Sequence, residues 1–123
     1  MYIGKLYICT MSTANGMLKG SLQTIILKLL QENDKMYGYE ITQKVKEITS
    51  GEIKLTEGAM YPSLHKMEAE GMLSTSTELV DNRVRKYYTL TTAGKKEVEN
   101  KLQEAESFIG NLQLLLNLKS KLS

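Results

Sequence analysis

The feature that most limits what this chain can become is a change of hydrophobic period at Gly71. Before it, apolar residues recur at helical spacing; just after it they alternate; from about residue 92 they return in a four-three repeat. That order implies three helices, a two-stranded hairpin and one long final helix. The first stripe, over 18–32, is carried by Leu18, Leu22, Ile25, Ile26, Leu29 and Leu30, and Asn33-Asp34-Lys35 closes it. Tyr37, Ile41, Val45 and Ile48 form a second, shorter stripe with Lys44, Lys46 and Glu47 on its wet side, ended by Thr49-Ser50-Gly51.

After a brief extended stretch at Ile53-Lys54-Leu55, Met60, Leu64 and Met67 set a third helix that Gly71 stops. Thr56 has the chemistry of its N-cap. Pro62 conflicts with this reading, because beyond the first turn proline removes a backbone hydrogen bond and crowds the preceding turn. Either the helix starts late or it bends; if it runs from Glu57, Gly58, four residues before the proline, eases the crowding.

Beyond Gly71, Leu73, Thr75, Thr77 and Leu79 alternate, as do Val84, Lys86, Tyr88 and Leu90, with Val80-Asp81-Asn82-Arg83 as turn material. Tyr88 and Leu90 share a face and are read as core. Thr91 or Thr92 caps the last helix, which is expected to reach about residue 118. In it Val98, Leu102, Ala105, Ile109, Leu112 and Leu116 follow an a/d repeat, the signature of a helix that pairs with a second copy, although part of that face can instead cover the chain's own first helix. Gly110 marks a weak point in it.

The chain is therefore expected to be mainly α with a small β-hairpin (α+β): a winged helix-turn-helix over 18–91, a C-terminal dimerisation helix over 92–123, and an N-terminal tail over 1–17, within which Met11 and Met17 each offer a start. Its 123 residues suit one domain plus an appended element. A hydrophobic share of 41% and a charged share of 24% are those of a folded, soluble protein. The single cysteine, Cys9, forms no internal disulfide, and with His65 the only histidine no metal ligand set is expected, nor any cofactor. No secretory signal or membrane span is read from it, and a cytoplasmic location is expected.

The net charge of +2 says little, but its distribution says more. Arg83, Arg85, Lys86, Lys95 and Lys96 occur with no acid between them, and Glu97, Glu99, Glu104 and Glu106 follow directly. A basic patch beside an acidic helix fits a polyanionic partner. In a winged helix the third helix enters the major groove of double-stranded DNA. Its side chains left over from the core stripe, Glu57, Tyr61, Ser63, His65 and Lys66, can hydrogen-bond and stack. Ser63-Leu64-His65-Lys66 also spells an S-x-x-K pattern, but no S-D-N or K-T-G accompanies it, and catalysis is not expected.

The run Leu55-Thr56-Glu57-Gly58-Ala59-Met60-Tyr61-Pro62-Ser63-Leu64-His65-Lys66-Met67-Glu68-Ala69-Glu70-Gly71-Met72-Leu73 resembles the recognition-helix signature of the PadR family of bacterial transcriptional regulators. Tyr37-Gly38-Tyr39-Glu40-Ile41 and Arg85-Lys86-Tyr87-Tyr88-Thr89-Leu90-Thr91-Thr92-Ala93-Gly94 are typical of the same family. The resemblance implies a homodimeric repressor on a near-palindromic operator, a tolerated Tyr-Pro pair inside the helix, and membership of the smaller subgroup with a single C-terminal helix. Some of that subgroup bind flat aromatic compounds at the dimer interface, which leaves room for a small-molecule effector of unknown identity. The tryptophan that stacks on such ligands would align near Ala105, and this chain has none.

The resulting DNA-binding candidates are Thr56, Tyr61, Ser63, His65, Lys66, Arg83, Arg85 and Lys86, the last three on phosphate or in the minor groove. For Tyr61, packing under the wing is the alternative to DNA contact. The dimer candidates are Val98, Leu102, Ala105, Ile109, Leu112 and Leu116. A winged-helix module that binds another protein rather than DNA is the alternative reading.

Overall fold

The computed structural model describes residues 16–118, in the order α1 (Gly16–Glu32), β1 (Met36–Tyr37), α2 (Gly38–Ile48), α3 (Glu57–Ala69), β2 (Leu73–Val80), β3 (Arg83–Leu90) and α4 (Thr92–Leu116). All of the expected tail before Gly16 lies outside the described residues. α1 is the central helix, in contact with α3, β3 and α4. Its stripe is broader than the spacing suggests: Leu27 is fully buried beside Leu22, Ile26, Leu29 and Leu30, because α1 is covered from more than one side. α2 buries Ile41 and Val45 but leaves Ile48 64% exposed, so the second stripe ends one turn earlier than its periodicity implies.

α3 does run from Glu57, capped by the Thr56 hydroxyl, which accepts a hydrogen bond from the Ala59 N–H at 3.3 Å. Pro62 lies inside it. The carbonyl left without its helical partner by proline is that of Gly58, and both residues are exposed rather than buried. Met60, Leu64 and Met67 are completely buried. Gly71 takes a left-handed φ of 82° and ends the helix with paired bonds, Met72 N–H to the Met67 carbonyl at 2.9 Å and Gly71 N–H to the Glu68 carbonyl at 3.0 Å.

The sheet has three strands in the order β1-β3-β2, all antiparallel, where a two-stranded hairpin was expected. The addition is Met36↔Tyr88 and Tyr37↔Tyr87, so Tyr37 belongs to a strand rather than to the second helical stripe. β2 and β3 pair from Leu73↔Leu90 out to Val80↔Arg83. Asp81 and Asn82 form the tip at φ 51° and 63°, the left-handed pair of a two-residue hairpin turn, reached here without glycine because both side chains tolerate that region. Tyr88 and Leu90 are buried in the core.

α4 is fastened to the end of α3 at its first turn. The Thr91 hydroxyl donates to the Gly71 carbonyl at 2.6 Å and accepts from the Gly94 N–H at 3.0 Å, and the Thr91 N–H donates to the Met72 carbonyl at 3.0 Å. Gly94 is buried there, and a Cβ on it would overlap the Met72 carbonyl oxygen. Downstream, α4 lies along α1.

Candidate nucleic-acid interface

Subtracting the buried stripe from α3 leaves an outer ridge of Gly58, Pro62, His65, Lys66 and Ala69, all five exposed and, at 3.6 residues per turn, on the side opposite Met60 and Leu64. His65 and Lys66 were expected there. Gly58 and Pro62 were not, because neither carries a side-chain donor or acceptor; they make the ridge low and allow a partner's surface to come close. Ser63 is half-buried to one side, lining a groove between α1 and α3 with Lys19, Gln23 and Lys66. The Thr56 hydroxyl is engaged as the cap.

Tyr61 flanks the other side and is half-buried. Its ring rests on Gly38, where a Cβ would overlap the phenol, so this glycine lets α3 approach the start of α2. Burial first, and the Glu57 carboxylate second, hold the Tyr61 hydroxyl above the usual phenol range. The contact visible in the protomer is therefore between α2 and α3, a place that neither expected role of Tyr61, DNA contact or packing under the wing, names.

The wing stands beside this ridge and its cations differ in their surroundings. Arg83, at the tip, is exposed. The Arg85 guanidinium carbon lies over the Tyr37 ring, 4.4 Å from its centre. Lys86 points the opposite way, as strand alternation requires, reaching Glu68 of α3 at 3.6 Å and lying 5.5 Å from the ring centre of Tyr88. Lys86 thus braces the wing against α3. On the outer face Lys35 pairs with Glu78, a contact that holds the ammonium above its ordinary pKa, and lies 4.9 Å from the Tyr87 ring centre. Lys95 and Lys96 stand at the N-terminal end of α4.

The α4 seam is divided. Val98 is fully buried in the protomer's own core, which removes it from any surface offered to a second copy, and Leu102 packs half-buried against the same core. Ala105 and Leu112 are half-buried, whereas Ile109 and Leu116 are 56% and 57% exposed. Phe108, Leu114 and Leu115 are still more exposed, and the a/d spacing misses them because they lie off its line. A groove of 500 Å³ between α1 and α4 is lined by Gly20, Thr24, Ala105, Phe108, Ile109 and Leu112, among others. No helix among the described residues is long and apolar enough to cross a membrane.

A family model described as the transcriptional regulator PadR-like family matches residues 26–100. The chain is similar to the negative transcriptional regulator PadR of Bacillus subtilis, with 33% identity over 80 residues, 64% of this chain and 43% of that protein. The match thus spans less than half of that relative. Among solved structures it resembles a PadR family transcription regulator from Clostridium difficile, at 33% identity and a TM-score of 0.65 over 79% of this chain and 98% of that one. It also resembles a transcriptional regulator from Clostridium thermocellum, at 27% identity and a TM-score of 0.73 over 80% and 93%.

Proposed function

The chain belongs to the PadR-like family of transcriptional regulators, proteins that are not enzymes, and on that footing we propose that it acts as a sequence-specific DNA-binding repressor, working as a homodimer on a near-palindromic operator. The observation that carries this reading is the low, exposed ridge of α3, bearing His65 and Lys66, set beside a wing whose tip residue Arg83 is exposed. The ridge enters the major groove, where His65 and Lys66 meet base edges, and Thr56 and Arg83 meet phosphate. Gly58 and Pro62 let the helix backbone come near the bases.

Repression is supported by the name of the Bacillus subtilis relative. Dimerisation is supported by the apolar residues that α4 leaves uncovered, Phe108, Ile109, Leu115 and Leu116, which lie on one broad side of the helix beyond the part that packs on α1. Pairing along this side gives a two-fold axis and two recognition helices. A small-molecule effector has a natural seat in the groove between α1 and α4, which the second copy would close; without tryptophan, Phe108 is the aromatic available to stack on it.

Footprinting the gene's own upstream DNA tests this. Two protected half-sites whose centres lie about one helical turn, roughly 34 Å, or a multiple of it apart are expected. Absence of protection, or a single unpaired half-site, would contradict the proposal.

A further inference from the structure

The first turn of α2 and the wing enclose a cleft of 410 Å³, lined by Tyr37, Tyr39, Arg83, Val84 and Arg85. None of the five is acidic, two are permanently cationic and two carry phenol hydroxyls. Tyr39 is 56% exposed in a helix whose other face is committed to the core. Neither arginine has an ion-pair partner among the described residues. The carboxylate directly across the strands from Arg85 is Glu78, and it is taken by Lys35.

Arg85 is nevertheless held in place. Tyr87 meets the Tyr37 ring edge-on, with centres 5.4 Å apart and planes at 79°, and Arg85 covers a face of Tyr37 at 4.4 Å. A guanidinium held over an aromatic ring keeps N–H donors available to an anion, and the contact limits the freedom it must give up on binding. Cation–π contact therefore orients Arg85 without neutralising it, which an acidic partner would have done.

We propose that this cleft is a backbone-phosphate seat on duplex DNA, in which Arg83, Arg85 and the Tyr39 hydroxyl bind one phosphate and Tyr37 acts as the positioning residue for Arg85. The assignment rests on the DNA-binding reading above and adds two tyrosines to it. An oriented arginine donates a paired set of hydrogen bonds to phosphate oxygens, and a phenol adds one neutral donor.

The test is fluorescence anisotropy of full-length protein on its own upstream duplex and on an unrelated duplex, across a salt series, with thermal melting of each variant. Tyr39→Phe is expected to weaken both duplexes about ten- to a hundredfold, the effect of removing one hydrogen bond to a charged group, with little change in salt slope because no cation is removed. Tyr37→Leu should weaken binding about as much as Arg85→Ala and add little when combined with it, while Tyr37→Phe, which keeps the ring, restores binding near wild type. Undiminished binding by Tyr39→Phe, or additive effects of Tyr37→Leu and Arg85→Ala, would overturn the seat while leaving the DNA reading intact. Wild-type protein that binds neither duplex would overturn both. The two phenylalanine variants preserve the packing, so the test survives even if Tyr37→Leu fails to fold.

Discussion

Gly58 and Gly94 illustrate how two glycines in helices can be retained for opposite reasons. A Cβ on Gly94 would meet the Met72 carbonyl oxygen, so this position is demanded by the chain's own packing. A Cβ on Gly58 would meet nothing within 4 Å, the Pro62 ring included, so the expected easing of crowding at the proline does not explain a residue that costs a helix up to about 1 kcal/mol relative to alanine. Its place on the α3 ridge explains it if another molecule must approach there. Gly94→Ala should therefore destabilise the fold by about 1 to 3 kcal/mol in urea unfolding. Gly58→Ala should instead stabilise it by up to about 1 kcal/mol while weakening operator binding. A Gly58→Ala protein that is more stable and binds DNA unchanged would show that close approach at this point is not needed. Individual roles were unevenly legible at this scale. Thr56 as a cap and Tyr88 as core follow from residue type and spacing, whereas Tyr61 resting on Gly38 depends on how α2 and α3 meet, which neither local pattern contains.

The three helices, the hairpin and the long last helix each carry a period long enough to read in the sequence. β1 does not, since two residues have no alternation to detect and Tyr37 happens to suit the helical spacing of the next element. The same limit hid the outer face of the sheet, where Tyr37, Tyr87, Arg85, Lys35 and Glu78 form one layer only after β1 joins β3. The surroundings of the wing cations follow from this layering: Lys86 faces α3, Arg85 faces Tyr37, and Arg83 remains at the tip. Replacing Arg83 and Arg85 together by alanine should weaken binding across sequences alike and reduce the log-log salt slope by about 0.9 for each phosphate no longer neutralised. Unchanged affinity in anisotropy titrations would remove the wing from the mechanism. At the start of α4, Thr91→Ala removes both the cap and the bond to Gly71, and should cost about 1 to 2 kcal/mol by chemical denaturation.

For the molecule as a whole, the a/d repeat of α4 identifies an apolar face but cannot divide it between the chain's own α1 and a second copy. The structure divides it: Val98 and Leu102 serve the protomer, while Ile109 and Leu116 stay largely uncovered. An aspartate at Val98 would unfold the domain, whereas Ile109→Asp with Leu116→Asp should yield folded monomers in sedimentation equilibrium. A stable dimer from that pair of substitutions would place the interface elsewhere. DNA affinity should fall with the dimer, since one ridge reads only half of an operator. The most direct test of the central claim is the binding of purified protein to its own upstream DNA, followed by fluorescence anisotropy over a salt series with an unrelated duplex as competitor. Tight, competitor-resistant binding that weakens steeply with salt is the predicted result; weak binding indifferent to salt and to sequence would contradict it.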